Sequence, residues 1–298
     1  MPKFAQEQAV RTPNSPAMTD PSKSLTWEQV DEIINRAANL ILEADLGEKR
    51  RIAVFAENSS ETALAHLGGL FGGASSVPVN FHLTAEEASY ILKDSESQIV
   101  FADDKTAERA IQASQEAGIA LVVGWNCQGY AEITDWDDWL LTGSPKPCPD
   151  KVVPRPNLLY TSGTTGLPKG TELPPTMFAG GSTMTEHIKG LSQSGFAEFG
   201  THLVVGPMYH TGPLSGMRLL TLGIPSVILG RFDAETTLAT IEKHKTESAL
   251  MVPTHFVRML ALPEDVKEKY DVSSMKFAAH TGAKCPVDVM REMIDWWG

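Results

Sequence analysis

The chain has 298 residues, of which 42% are hydrophobic and 21% charged, and its formal net charge is −12 at pH 7. This length and composition predict a globular protein with a substantial core. The acidic balance argues against nucleic acid as a partner, because phosphate backbones are bound by clustered Lys and Arg side chains. Three widely spaced cysteines predict neither a disulfide framework nor a zinc site.

The N-terminal region, residues 1–24, is polar and carries four prolines, which predicts a loose arm. It contains no apolar core of the kind that a signal peptide needs. The least polar stretch, residues 63–79, is interrupted by glycines and Pro78 and is too short to cross a bilayer. We therefore expect a cytoplasmic chain with no integral membrane segment; its oligomeric state is left open by the sequence.

From residue 25 onward, helical and strand patterns alternate. Thr26 with Gln29, and Thr84 with Glu87, have the spacing of capping boxes that begin helices. Further helical patterns cover residues 60–70, 234–244 and 254–262, and apolar runs that predict strands cover 51–56, 98–102, 119–123, 203–205, 226–229 and 249–252. Strands separated by helices predict an α/β fold with parallel sheets covered on both faces.

A run of hydroxyl side chains and glycines with one lysine, Tyr160 to Gly170 (YTSGTTGLPKG), follows one apolar stretch directly. Glycines allow backbone N–H groups to approach an anion, hydroxyls add neutral donors, and a lysine supplies positive charge, so the run predicts a phosphate-binding loop. It is not a Walker loop, because Pro168 precedes the lysine and Gly170 replaces the magnesium-binding hydroxyl. The alternative is a surface loop with a chance lysine.

The loop resembles the signature of the adenylate-forming (AMP-binding) superfamily, and four other segments are similar to that family's elements in the same order. These segments are LTWEQV with RAANL (25–30 and 36–40), VPVN with LTAEE (77–80 and 83–87), PMYHTG (207–212) and GAKCP (282–286). Within the superfamily the chain looks closest to bacterial acyl-CoA synthetases and fatty-acid CoA ligases. Lys284 departs from the family's turn, where a small or apolar residue is usual.

The resemblance implies two stacked α/β subdomains with parallel sheets, which form the large domain of such an enzyme. Residues 25–298 would be an incomplete AMP-binding N-terminal domain, since the family's later Y-G-x-T-E motif and its C-terminal domain with the catalytic lysine have no counterpart here. We therefore expect the fragment alone to be inactive or impaired.

The implied activity is ATP-dependent activation of a carboxylic acid, either fatty or aryl, to an acyl-adenylate, followed by transfer to coenzyme A. The implied cofactors are ATP, Mg²⁺ and coenzyme A. Two anions must meet, so catalysis rests on positioning and electrostatic stabilisation. Two alternatives stay open: a truncated, non-catalytic nucleotide-binding remnant, and an adenylation domain of another branch. Asp233, which could serve an amino-acid substrate in that branch, fits a helix N-cap better.

The resemblance also assigns roles to residues. The residues that would bind the ATP phosphates are Thr161, Ser162, Gly163, Thr164, Thr165, Gly166 and Lys169. Adenine would lie against Gly282 and Ala283. His210 would be catalytic, at the junction of the acyl pocket and the phosphates, and the acyl pocket would include Tyr209, Thr211 and Gly212. A hydrogen-bonded core histidine is the alternative for His210, while His255 and His280 are expected to be structural. No metal-ligating residues are expected.

Overall fold

The computed structural model describes residues 3–161, 167–174 and 177–298. Its helices are α1 (Lys3–Arg11), α2 (Trp27–Glu43), α3 (Ser60–Phe71), α4 (Ala85–Asp94), α5 (Ala107–Ala117), α6 (Trp136–Leu141), α7 (Met184–Leu191), α8 (Thr211–Met217), α9 (Ala234–His244), α10 (Pro253–Leu260), α11 (Glu264–Glu268) and α12 (Val287–Trp297). Its strands are β1 (Pro16–Thr19), β2 (Ser24–Thr26), β3 (Arg51–Phe55), β4 (Ser75–Pro78), β5 (Ile99–Asp103), β6 (Leu121–Trp125), β7 (Thr134–Asp135), β8 (Leu158–Thr161), β9 (Lys169–Glu172), β10 (His202–Val204), β11 (Ser226–Ile228), β12 (Ser248–Met251) and β13 (Phe277–His280).

The first sheet has the strand order β4-β3-β5-β6-β7 and is parallel throughout. Successive side chains of β3 point to opposite faces: Ile52 and Val54 enter one apolar cluster, while Ala53 and Phe55 enter another. Both faces of the sheet are therefore buried, which explains why its strands read as continuous apolar runs.

The second sheet has the order β13-β12-β10-β11-β1-β2, in which β2 is antiparallel and the other strands are parallel. Val204 and Ile228 belong to the same apolar cluster as Ile52 and Val54 of the first sheet. Helices α2 and α3 contribute to that shared cluster through Ile34 and Leu67, among others. The two sheets are thus stacked across one common core, and the expected α/β fold with two parallel-sheet layers is confirmed.

The helix boundaries follow local chemistry. Both expected capping boxes form: Thr26 accepts the N–H of Gln29, and Thr84 accepts the N–H of Glu87, with the reciprocal side-chain bond present in each case. Asp233 is the N-cap of α9 and accepts the N–H of Thr236. In the part of the chain described above, no helix is long and apolar enough to cross a membrane.

The N-terminal region is not the loose arm that its composition predicted. Strand β1 lies inside the second sheet, where Met18 is paired with Ser226 and is completely buried. Helix α1 places Ala5, also completely buried, in the shared core. The prediction failed because this segment is ordered by tertiary contacts rather than by its own sequence pattern. Two apolar residues, Ala17 and Met18, are enough to form a buried strand when β11 supplies the hydrogen-bonding backbone.

This placement makes Met18 a determinant of stability. We expect Met18→Ala to lower the free energy of unfolding by about 2–5 kcal/mol, because it leaves a cavity in a packed core. The change is measured by denaturant unfolding against Val10→Ala, a control on α1 whose side chain is 78% exposed and whose effect should stay within about 0.5 kcal/mol. Equal effects of the two substitutions would show that residues 16–19 do not hold their place in the sheet.

Candidate active site

The predicted phosphate loop connects two antiparallel strands. Strands β8 and β9 form a hairpin in which Thr161 is the Cα partner of Lys169. Both residues are exposed, so a hydroxyl and a cation face each other at the two ends of the loop. The remaining predicted loop residues, Ser162, Gly163, Thr164, Thr165 and Gly166, lie outside the described residues.

The hairpin is fastened to the edge of the first sheet. The hydroxyl of Tyr160 donates to the carboxylate of Asp94 at 2.6 Å, and burial together with this hydrogen bond raises the pKa of Tyr160 well above its usual value. Arg51 of β3 forms an ion pair with Glu172 of β9 at 3.6 Å. Because strand β8 also contacts β4, the ends of the phosphate loop have a fixed base in the first sheet.

A side-chain amide joins the two sheets at the carboxyl ends of their strands. Asn58, just after β3, donates to the carbonyl oxygens of Gly206 at 2.8 Å and Leu229 at 3.4 Å, and it accepts the N–H of Met208 at 2.8 Å. Gly206 lies two residues after the end of β10, and Leu229 directly follows β11. In open α/β sheets, ligands bind outside the carboxyl ends of the strands, so Asn58 holds together the edge where a ligand is expected.

The same edge contains a pocket of about 510 Å³. Four of the predicted site residues lie in its wall: His210, Thr211, Gly212 and Gly282. The rest of the wall is mainly apolar and includes Pro207, Pro213, Leu250, Met251 and Val252. Met177, which follows β9 and the phosphate loop in the chain, is also part of it.

Two other predicted residues lie elsewhere. Tyr209, assigned to the acyl pocket, is absent from the wall of this pocket. It packs edge-on against Phe81, in the turn after β4, with ring centroids 5.3 Å apart. Ala283, assigned to adenine, follows Gly282 as an exposed residue outside the wall. Their assigned roles remain predictions.

Two glycines give the pocket its shape. A Cβ atom on Gly212 would lie 3.1 Å from Leu250 and 3.2 Å from Thr281, so a side chain there would crowd the wall. Gly282 has φ +83°, a backbone conformation that favours glycine. A side chain at position 212 would therefore require Leu250 and Thr281 to shift, and one at position 282 would strain the backbone.

Two histidines face the pocket from different depths. His210 is the exposed N-cap residue of α8, and partial desolvation lowers the pKa of its imidazole. His255 on α10 is only 8% exposed, and burial, with a smaller contribution from the charge of Arg258, lowers its pKa to about 4. The imidazole of His255 is therefore neutral at pH 7, and that of His210 is mainly so.

The sequence did not single out His255 as a site residue. The only signal available was its position, three residues after the apolar run that forms β12, where a parallel strand delivers side chains to the ligand-binding edge. His280, the other histidine expected to be structural, ends β13 and is outside the wall of the pocket. Among the described residues, no group of three or more His, Cys, Asp or Glu side chains could hold a metal ion.

A second pocket of similar volume, about 510 Å³, adjoins the first through the shared residues Met177 and Leu250. Its wall is largely aromatic and aliphatic, with Phe178, Leu191 and Phe196 among its members. The site thus combines a pocket that presents two imidazoles with an apolar extension beside it.

The removal of Asn58 should weaken the edge on which this pocket lies. We expect Asn58→Ala to lower the free energy of unfolding by about 1–3 kcal/mol, because Gly206 and Met208 lose hydrogen-bond partners in a partly buried place. Denaturant unfolding measures the effect, with the exposed Asn14→Ala as the matched control. If both variants unfold like the unsubstituted chain, the amide does not hold the sheets together.

Known proteins resemble this chain in sequence and in fold. The family model for AMP-binding enzymes matches residues 5–298. The fatty acid–acyl-carrier-protein ligase ScoC of Streptomyces coeruleorubidus is 30% identical over 263 residues, which cover 86% of this chain and 48% of ScoC. The indoleacetate–CoA ligase of Aromatoleum aromaticum is 26% identical over 298 residues, covering 94% of this chain and 54% of the relative. The chain thus spans about half the length of these curated relatives.

Solved structures share the fold. The anthranilate CoA ligase AuaEII in complex with anthranoyl-AMP has a TM-score of 0.79 at 19% identity, with coverage of 98% of this chain and 57% of that one. The N-terminal domain of FACL13 from Mycobacterium tuberculosis has a TM-score of 0.76 at 22% identity, with coverage of 99% and 73%. At these identities the likeness concerns the arrangement of the backbone.

Proposed function

The chain belongs to the AMP-binding enzyme family, and we propose that its pocket serves the ATP-dependent activation of a carboxylic acid, fatty or aryl, for transfer to coenzyme A. The observation that carries the proposal is the meeting of His210, Thr211, Gly212 and Gly282 in one pocket. They come from two segments about 70 residues apart in the sequence, and both segments resemble elements of the family. The curated relatives above are ligases of organic acids by name.

The reaction joins two anions. A carboxylate oxygen attacks the α-phosphorus of ATP, pyrophosphate leaves, and the thiol of coenzyme A then displaces AMP from the acyl-adenylate. The contribution of the protein is to place the reactants and to offset negative charge. Mg²⁺ would accompany the nucleotide phosphates, as it does at many nucleotide sites.

The residues fit these tasks by their chemistry. Lys169 and Thr161 present a cation and a hydroxyl at the ends of the phosphate loop, where the phosphates would lie. The mainly neutral imidazole of His210 would orient the carboxylate at the exposed side of the pocket. The apolar wall and the adjoining apolar pocket would take the hydrocarbon part of the acid.

A nucleotide-binding test addresses the phosphate loop. We expect α,β-methylene-ATP, an analogue that keeps all three phosphorus groups but cannot release pyrophosphate, to raise the melting temperature of the chain, since a ligand that binds the folded state stabilises it. Lys169→Ala should weaken binding about 10- to 100-fold, as for the loss of a hydrogen bond from a charged group, whereas Lys146→Ala, another exposed lysine, should bind normally. No stabilisation in any variant would count against a nucleotide site in this chain.

A second test separates binding from chemistry at His210. We expect His210→Ala to slow acid-dependent exchange of pyrophosphate into ATP by about 100-fold, in the range seen when one positioned polar group is removed from a reacting centre. Binding of ATP alone should change less than about two-fold, since the imidazole is assigned to the acid. The assay requires a parent protein with measurable exchange. The control is His82→Ala, at an exposed histidine outside the pocket wall. A His210→Ala variant as active as its parent would remove His210 from the mechanism.

A further inference from the structure

We propose that His255 is a specificity-determining residue, which donates a hydrogen bond from Nε2 to an acceptor oxygen on the acyl body of the substrate. The inference rests on the proposed function for the identity of the ligand as a carboxylic acid. It names a narrower class: acids whose hydrocarbon part carries an ether, oxo or hydroxyl oxygen.

The tautomer of His255 follows from its contacts. Its Nδ1 lies 3.4 Å from the backbone nitrogen of Val252, and an N–H in that position can only donate. Nδ1 is therefore the acceptor, and in the neutral ring the proton is on Nε2. Among the described residues, Nε2–H has no protein hydrogen-bond partner, and it is not enclosed away from water in the pocket.

The direction of the ring is fixed as well. The imidazole stacks on the ring of Phe232, with centroids 4.2 Å apart and planes 21° from parallel. The ring lies in the pocket wall beside Gly206, where its Cε1 is 3.8 Å from the place a Cβ atom would occupy. A rigid donor is thus held at the pocket surface with little freedom to turn toward another acceptor.

Depth distinguishes the role of His255 from that of His210. His210 is exposed, at the side of the pocket assigned to the carboxylate, whereas His255 is 92% removed from solvent among apolar neighbours such as Leu250 and Val252. A ligand that fills the pocket removes water from this donor, and a donor then left without an acceptor costs free energy. A ligand that supplies an acceptor at this depth is therefore favoured over an equally shaped ligand that does not, and a few polar groups in an apolar pocket set specificity in this way.

The test compares acids of equal shape. Octanoate is compared with oxa-octanoates, in which one methylene at successive positions is replaced by oxygen, and 4-ethylbenzoate is compared with 4-methoxybenzoate. Binding of each acid to the chain is measured without nucleotide by ligand-observed NMR. We expect at least one oxygen-containing acid to bind about 10-fold more tightly than its all-carbon partner, the equivalent of one neutral hydrogen bond.

Substitutions assign the preference to His255. His255→Phe keeps an aromatic ring against Phe232 but removes the donor, and it should abolish the preference while all-carbon acids bind as before. His255→Gln retains an N–H donor and should keep part of the preference. Val257→Ala, an exposed position on the same helix, is the control, and thermal unfolding of each variant checks that the fold is kept.

The outcomes are separable from those of the proposed function. Three outcomes would overturn the role of His255. They are equal binding within every acid pair, loss of binding of both acids of a pair in His255→Phe, and no binding of any acid. Exchange of pyrophosphate with all-carbon acids would leave the proposed activation standing in each of these cases. Conversely, a preference that depends on His255 would support its role even where this chain, expected to be impaired on its own, shows no exchange.

Discussion

The side-chain amide of Asn58 is the contact on which the geometry of the site depends most. The two sheets share an apolar core. Apolar contacts have no fixed direction, so they set the distance between the sheets more strongly than the alignment of one sheet on the other. Asn58 adds directional bonds from the end of β3 to the ends of β10 and β11. Since two of these bonds hold Gly206 and Met208, shortly before His210, the position of that imidazole is tied to the stacking of the sheets.

Charge is distributed over the site in a way that suits two anionic reactants. Lys169, the cation of the phosphate loop, lies on an exposed hairpin. Its ammonium group stays hydrated there and incurs little desolvation penalty. The imidazole deepest in the pocket, His255, is neutral because burial lowers its pKa to about 4. The site therefore avoids an unpaired buried charge in the pocket wall while it retains donors there, and positive charge remains where phosphates are expected.

The sequence predicted the elements whose pattern is local. Strands β3, β5 and β6 are buried on both faces, so their apolar runs are visible without any partner, and the capping boxes of α2 and α4 need only neighbouring residues. Strand β1 was missed because its order comes from β11, more than 200 residues away. His255 and Tyr209 show the same limit at the site, since their positions depend on contacts with Phe232 and Phe81 that no local pattern contains.

Gly206 takes part both in the Asn58 contact between the sheets and in the wall of the pocket. Its carbonyl oxygen accepts a hydrogen bond from Asn58. A Cβ atom at this position would lie 2.9 Å from Pro213 and 3.8 Å from the imidazole of His255. Any side chain at position 206 would therefore push against Pro213, in a wall that also contains His255. The backbone that accepts the hydrogen bond of Asn58 is therefore also part of the pocket wall that contains His255, so rigidity and selectivity at this edge share one segment of the chain.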